Sequence, residues 1–324
     1  MEVKDMQIKS VVGTDLECST FCLGGAILGS DINQADSFEL MDAYVDRGGN
    51  FVDTAEVYSN WLPVEPSLSE KTIGLWMKAR KNRHKLLVST KGAHPLLESM
   101  QLARMSKQDI IHDIEQSLRN LQVETIDFYI LHRDDTDRTV EEILEALNEQ
   151  VKAGKIRYFG CSNWTTERIK EAQTYANKHG IQGFSGNQMM WSLAEADSTK
   201  FVDTTLVAMD NGMTQYHLET GLPAFPYSSQ AQGLFTKWDS GQYTADDSRI
   251  SPMYKSAANR ARFERAQQLA NDLSRSITEV VLGYLISHSF QTFPIIGCRT
   301  ISQLEESLKA ADLRLTQEQL EFLR

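Results

Sequence analysis

The sequence predicts a (β/α)8 TIM barrel preceded by a β-hairpin, with residues 1–324 forming one unit. Short apolar β-type runs alternate with amphipathic helical runs, and eight such pairs fit into the 324 residues. The β-type runs are also nearly continuous in apolar character, as strands of a parallel sheet covered by helices are. A doubly wound open sheet shares this alternation, but its nucleotide-binding form carries G-x-G-x-x-G after the first strand. Here the first strand ends LGGAILG, which does not fit that spacing.

The elements follow in order. MQIKSVVGTDLECS holds two short β-like pieces around Gly13-Thr14, which reads as a hairpin before the barrel. The strand runs are TFCLGGAIL (20–28), NFVDTA (50–55), KLLVSTKG (85–92), DFYILH (127–132), IRYFGCSN (156–163), GNQMM (186–190), PAFPYSS (223–229) and TFPIIG (292–297). Between them lie helical runs such as ADSFELMDAYVDRG, MSKQDIIHDIEQSLRNLQ, TVEEILEALNEQVKAG and TERIKEAQTYANKHG. Gly48, Gly154 and Gly180 end helices where a left-handed residue is needed, and Thr165 and Thr278 are expected as N-caps.

Hydrophobic residues make up 41% of the chain and charged residues 24%, the balance of a globular protein with a sizeable core. The net charge of −11 argues against nucleic acid or an anionic membrane as main partner, since counterion release needs a basic face. The basic run KARKNRHK (78–85) reads as a solvated helix end. MEVKDMQIKS carries no apolar leader and no run is long enough to span a bilayer. Cys18, Cys22, Cys161 and Cys298 have spacings that suit neither zinc nor a disulfide framework. Reduced thiols in the cytoplasm are the expectation, and no metal is implied.

In such a barrel the chemistry sits at the C-terminal strand ends. The second strand delivers Asp53 and then Tyr58, the third Lys91, the fourth His132, the fifth Ser162 and Asn163, the sixth Gln188, and the seventh Tyr227, Ser228 and Ser229. Strand ends are often polar simply because the chain surfaces there. An acid, an amine and an imidazole on three successive ends, with a phenol nearby, ask for more. A tyrosine titrates near 10 and is a poor proton donor at neutral pH, but a neighbouring ammonium favours its phenolate. An aspartate keeps that ammonium charged, and a histidine donates to a substrate oxygen. Such a set suits proton transfer at an oxygen where charge develops, as in carbonyl reduction. The same set can serve a Schiff-base aldolase with Lys91 as nucleophile, although that lysine must be neutral and a paired Asp53 works against it.

These residues and their neighbours resemble the aldo-keto reductases, NAD(P)H-dependent carbonyl reductases on a (β/α)8 barrel. NFVDTAEVY is similar to the family's first signature, which Ser69-Glu70 and Ile73-Gly74 continue after the insertion NWLPVEPSL. VSTKG resembles the lysine segment and DFYILHRDD the histidine strand. GCSNW, Asn187-Gln188 and YSSQAQGLF resemble the cofactor-binding strand ends. PIIGCRTISQLEESLKA resembles the loop and helix around the adenosine 2′-phosphate. The resemblance covers the chain from the hairpin to about residue 310.

The resemblance implies that Tyr58 is general acid in reduction and base in oxidation, that Lys91 lowers its pKa, that Asp53 pairs with Lys91, and that His132 orients the carbonyl. It implies Ser162, Asn163 and Gln188 at the nicotinamide carboxamide and Tyr227 stacked on the ring. Ser228, Ser229, Gln230, Ala231 and Gly233 would wrap the pyrophosphate. Gly297, Cys298, Arg299 and Gln303 would meet the 2′-phosphate, and Glu306 and Ser307 the adenine. The chain departs from the family by carrying Gly297 and Cys298 where many members have lysine and serine, which leaves Arg299 as the phosphate's cation. It also carries Ser307 where asparagine is common. NADP(H) is the expected cofactor. Pocket walls are expected from Asn60, Trp61, His94, Trp164, Trp191 and segment 234–255, with 237–249 as a lid. A small-molecule carbonyl compound is the expected partner, with the oligomeric state open. Two other readings remain: a slow-turnover redox sensor like the family's potassium-channel β-subunits, and a barrel lyase.

Overall fold

The computed structural model describes residues 6–244 and 246–324. The first five residues of the N-terminal segment and Ala245 of the expected lid lie outside the described residues. Strands β1 (Ile8–Ser10) and β2 (Glu17–Ser19) pair antiparallel as the expected hairpin. The barrel strands β3 (Cys22–Gly24), β4 (Phe51–Asp53), β5 (Leu87–Gly92), β6 (Ile126–Leu131), β7 (Ile156–Ser162), β8 (Asn187–Gln188) and β9 (Ile295–Ile296) form a parallel sheet in the order β8-β7-β6-β5-β4-β3-β9. Helices α1 (Gln34–Asp46), α2 (Leu68–Arg80), α3 (Lys107–Leu121), α4 (Val140–Lys152), α5 (Thr166–His179) and α6 (Asn211–Thr220) each follow one strand. Helices α7 (Leu234–Asp239), α8 (Ala257–Leu273), α9 (Ile277–Ile286), α10 (Ile301–Leu308) and α11 (Gln317–Leu323) complete the chain.

The expected strand at 223–229 is not a regular strand, yet it closes the sheet. Asn187 N donates to Pro223 O (3.0 Å) and Phe225 N to Asn187 O (2.8 Å) on one side; Phe293 N donates to Ala224 O (2.9 Å) and Ile295 N to Pro226 O (2.9 Å) on the other. Pro223 and Pro226 bring no N–H to the ladder, so the pairing survives only as isolated bridges. The curled parallel sheet is thereby a TIM-barrel-like fold.

Side chains alternate faces along a strand, and this period positions the site. Phe51, Phe128, Phe225 and Phe293 point inward with Val11 and Leu16 of the hairpin region, forming a plug in the barrel's N-terminal half. Phe225 lies 5.8 Å from Phe51, 5.1 Å from Phe128 and 5.3 Å from Phe293, ring centre to ring centre. Each fully buried phenylalanine contributes roughly 1.5–3 kcal/mol. Two residues further along the same strands, on the same face, stand Asp53 after Phe51 and Tyr227 after Phe225. Ser89 and Lys91 share this face of β5, because Ser89 registers with Asp53. One face thus runs from aromatic plug to polar mouth, while Val52, Tyr129 and Leu131 face the helices.

Helix ends follow local chemistry. Thr165 caps α5 by accepting from Arg168 N, and Gly180 ends it in the left-handed region. The expected cap at Thr278 is corrected to Ser276, which forms a capping box with Glu279. Thr278 lies inside α9, with its hydroxyl on that of Thr236.

Candidate active site

Asp53, Lys91 and Tyr58 converge at the polar mouth. Lys91 is 1% exposed, and its ammonium donates to Asp53 Oδ2 at 2.6 Å, Thr54 O at 2.7 Å and Tyr58 Oη at 3.2 Å. All three N–H bonds of the ammonium are then used. Because lysine donates to the phenol oxygen, the phenol keeps its own hydrogen for another acceptor. Asp53 is fixed from its other side by Ser89 Oγ (2.9 Å) and Gln188 Nε2 (3.1 Å). Gly92 follows Lys91 because a Cβ there would lie 2.1 Å from Tyr129 Oη and 2.6 Å from Asp113 Cβ.

His132 stands across from the phenol, with ring centres 5.9 Å apart, and His94 stands 4.8 Å beyond it. His132 is 8% exposed, and its Nδ1 is buried without a hydrogen-bond partner. Trp61, half-exposed on the insertion, packs edge-on to Tyr58 at 6.1 Å. The insertion is closed by Ser67 N donating to Asn60 Oδ1 (2.7 Å). Four strand-end loops around this mouth hold a non-glycine residue at positive φ: Ser59, Ala93, Asn163 and Ser228. Strain of this kind persists only where surrounding contacts impose it.

The electrostatics set protonation states. Burial pushes the Tyr58 phenol above its usual range; Lys91 opposes this without cancelling it. The net direction is therefore opposite to the lowering expected from the lysine alone, because desolvation of a phenolate outweighs one ammonium at 3.2 Å. For Lys91, burial favours losing the proton, but Asp53 and Tyr58 together outweigh it and the ammonium is held charged. Burial, then Arg133 and His94, hold His132 well below the usual histidine range, so its imidazole is neutral.

A second group of residues lies in the loop after Tyr227 and around α10. Gln230 Nε2 reaches Ser307 Oγ (3.0 Å) and Ser229 Oγ donates to Ile295 O (2.6 Å), tying the loop after Tyr227 to α10. Ser228, Ala231, Gln232 and Gly233 all have positive φ, which coils this loop tightly. A Cβ on Gly297 would meet nothing within 4 Å, so open space lies there. Arg299 is exposed and paired with Asp31 at 2.9 Å, and Arg299 N donates to Gln303 Oε1. Cys298 is buried and packs near Ser307; Glu306 pairs with Lys309. Asn163 is engaged at both ends: Oδ1 accepts from Tyr227 Oη (2.7 Å) and Val207 N (3.1 Å), while Nδ2 donates to Ser162 Oγ and His132 O.

Two tryptophans expected at the pocket lie elsewhere. Trp164 is fully buried, donates to Arg133 O (3.0 Å) and packs edge-on against Phe184. Trp191 packs against Tyr284, His288 and Phe290, and edges a cavity of about 600 Å³ with Tyr254 and Arg262. That cavity includes none of Asp53, Tyr58, Lys91 and His132. Sequence reasoning missed Arg133, buried beside His132. Its guanidinium holds Asp203 (2.8 Å), Thr205 (2.7 Å) and His132 O (2.8 Å), anchoring the loop after β8. An arginine directly following a strand-end histidine, ahead of two aspartates, was the available signal. No helix among the described residues is long and apolar enough to cross a membrane.

Comparison with known proteins bears on this arrangement. The profile described as the aldo/keto reductase family matches residues 20–324. The chain is 30% identical to the uncharacterized oxidoreductase YrpG of Bacillus subtilis, covering 96% of this chain and 92% of the relative. It is 27% identical to an aryl-alcohol dehydrogenase [NADP(+)] of Phanerodontia chrysosporium, over 96% and 83% of the two chains. It is also 27% identical to norsolorinic acid reductase B of Dothistroma septosporum, over 94% and 76%. With that profile running through every strand that builds the polar mouth, the chain belongs to the aldo/keto reductase family and is an oxidoreductase.

Proposed function

We propose that this chain reduces the carbonyl of an aldehyde, ketone or sugar to the alcohol, reversibly, with NADPH as hydride source and Tyr58 as proton donor. The observation that carries this reading is the buried ammonium of Lys91 shared between Asp53 and the Tyr58 phenol. The same ammonium argues against a Schiff-base lyase, because a lysine held charged is no nucleophile.

These segments suit a dinucleotide: the coiled backbone loop at 228–233 is tied to α10, with open space over Gly297 and an exposed guanidinium at Arg299. When bound there, the nicotinamide supplies hydride to the carbonyl carbon. Ser162, Asn163 and Gln188 would hold its carboxamide, Tyr227 its ring, Ser228 to Gly233 its pyrophosphate, Arg299 with Gln303 its 2′-phosphate, and Glu306 with Ser307 its adenine. Asn163 must then exchange its bond to Tyr227 for one to the carboxamide. At the reacting oxygen, the Tyr58 O–H donates as negative charge develops, and Lys91 stabilises the phenolate left behind. Neutral His132 directs a ring nitrogen at the same oxygen, which fixes the carbonyl's orientation.

The test is Tyr58→Phe, assayed by NADPH consumption with 4-nitrobenzaldehyde. General acid catalysis contributes about 10²–10⁴-fold, so kcat falls by at least about a hundredfold. NADPH binding, followed by tryptophan fluorescence, persists. A variant keeping roughly a tenth of wild-type kcat would overturn the assignment. A wild-type protein that binds NADPH but reduces no aldehyde would favour the redox-sensor reading, and borohydride trapping of an imine on Lys91 the lyase.

A further inference from the structure

His94 is a second histidine at the mouth that the tyrosine–lysine–aspartate–histidine chemistry leaves unused. It is 8% exposed, and its ring stands 4.8 Å from that of His132 at an interplanar angle of 62°. Its position is fixed three times over. Nδ1 lies 2.6 Å from Pro95 O, Arg104 Nη1 donates to His94 O (3.1 Å), and Ala93, at φ 56°, donates its N–H to Asp113 Oδ2 (2.8 Å). Arg104 in turn holds Asp113 at 3.0 Å.

These contacts decide what the ring can do. A carbonyl oxygen only accepts, so the bond to Pro95 O requires hydrogen on Nδ1. Burial, then the nearby Arg133, push the imidazole down to about 4, so it is neutral. Neutral imidazole with hydrogen on Nδ1 has a bare Nε2, an acceptor with no donor of its own. Such an atom cannot bind the reacting carbonyl oxygen, which also only accepts. It binds an O–H. With the carbonyl held between Tyr58 and His132, a ring 4.8 Å from that of His132 is placed for the atoms next to the carbonyl rather than for the carbonyl itself.

We infer that His94 Nε2 accepts a hydrogen bond from a hydroxyl on the carbon adjacent to the carbonyl, and that hydroxylated carbonyl compounds are the preferred substrate class. This rests on the reductase reading above. His94 is here a substrate-positioning residue, separate from proton transfer. An aldehyde lacking the hydroxyl leaves the acceptor to water and loses the net gain of one hydrogen bond.

The test uses the full chain with NADPH and two aldehydes that differ by one hydroxyl, propanal and 2-hydroxypropanal, with 4-nitrobenzaldehyde as reference. The wild-type kcat/KM for 2-hydroxypropanal exceeds that for propanal by about twofold to about tenfold, as one neutral hydrogen bond provides. His94→Leu lowers the hydroxylated substrate's kcat/KM more than the other's, chiefly through KM, and brings the ratio to about one. His94→Gln, whose Oε1 is again an acceptor, restores part of it. Equal wild-type efficiencies, a ratio that survives in His94→Leu, or equal losses on both aldehydes overturn the inference. Turnover of 4-nitrobenzaldehyde leaves the reductase reading standing in each of those cases. Reduction of none of the three aldehydes overturns both. If a melting curve shows that His94→Leu does not fold, the wild-type ratio and His94→Gln decide.

Discussion

Removing Lys91 tests the electrostatic design of the mouth most directly. In Lys91→Met the carboxylate of Asp53, 2% exposed, loses a cation at 2.6 Å and keeps only the Ser89 hydroxyl at 2.9 Å and the Gln188 amide at 3.1 Å. Taking one partner from a buried ion pair costs about 3–5 kcal/mol, since the remaining charge stays desolvated. Asp53→Asn strands the ammonium instead, although Thr54 O and Tyr58 Oη still accept from it, so its cost falls at the lower end of that range. The double variant removes both charges and leaves an amide that Ser89 and Gln188 can still bond. Its loss is therefore smaller than the sum of the two single losses by about 2–3 kcal/mol, the upper range for residues in one network. The assay is urea unfolding followed by far-UV circular dichroism, comparing midpoints at matched slopes. A Lys91→Met loss below about 1 kcal/mol, or losses that simply add, would refute the claim that a charged pair is held in this pocket.

Three further outcomes follow from Arg299, Asp31 and Glu70. Arg299→Ala weakens NADPH by about 1.5–3 kcal/mol more than NADH in fluorescence titrations, the worth of a hydrogen bond to a charged group; equal weakening of both cofactors removes the phosphate role. Asp31 competes for that guanidinium at 2.9 Å, so Asp31→Asn tightens NADPH by about 0.2–1 kcal/mol, an exposed pair's range, and an unchanged affinity refutes the competition. Glu70, fully buried under Thr90 and Asn120, is pushed by burial from 4.5 to about 7. A carboxyl that titrates higher in the folded state contributes stability below about pH 4.5, and that contribution is lost as pH rises through about 7. Glu70→Gln therefore flattens the fall in unfolding free energy across this window, an effect on the order of 3 kcal/mol; an unchanged slope would show that another group titrates there.

The barrel and the convergence of Asp53, Lys91 and His132 were legible because both rest on local pattern. Continuous apolar runs mark buried strands, and the period of two assigns residues to the interior once one of them is known. Phe51 as plug fixes Asp53 as mouth. The seventh strand was legible as a run but not as bridges, because its two prolines weaken the ladder without ending the pairing. Trp164 looked like a pocket wall from its position after a strand end. The Asn163 backbone turns at φ 61°, and the next side chain is fully buried against Phe184 and Arg133. Arg133 was not legible as an anchor because its partners, Asp203 and Thr205, lie about seventy residues away on a loop without periodic pattern. Position after a strand says that a residue is near the mouth; the backbone turn that follows decides which way it faces.

That distinction matters most for Tyr58. Sequence logic treats the lysine as a device for lowering a phenol's pKa, and the structure shows burial raising the same pKa by more. The two effects act at different moments. Before reaction the phenol is neutral, burial keeps it so, and the lysine has only a lone pair to hold. In the proposed reduction, the charge appears as the proton leaves on an oxygen 3.2 Å from an ammonium already desolvated and fixed by Asp53 and Thr54, so no solvent need reorganise to meet it. A phenol held protonated at neutral pH is poised to donate, which favours reduction there. Oxidation needs the phenolate, so its rate should rise with pH well into the alkaline range, and in Lys91→Met that rise moves to still higher pH because burial then loses its main opponent. An oxidation rate that is flat between pH 7 and 10 would mean that the proton leaves through His132 or solvent and not through Tyr58.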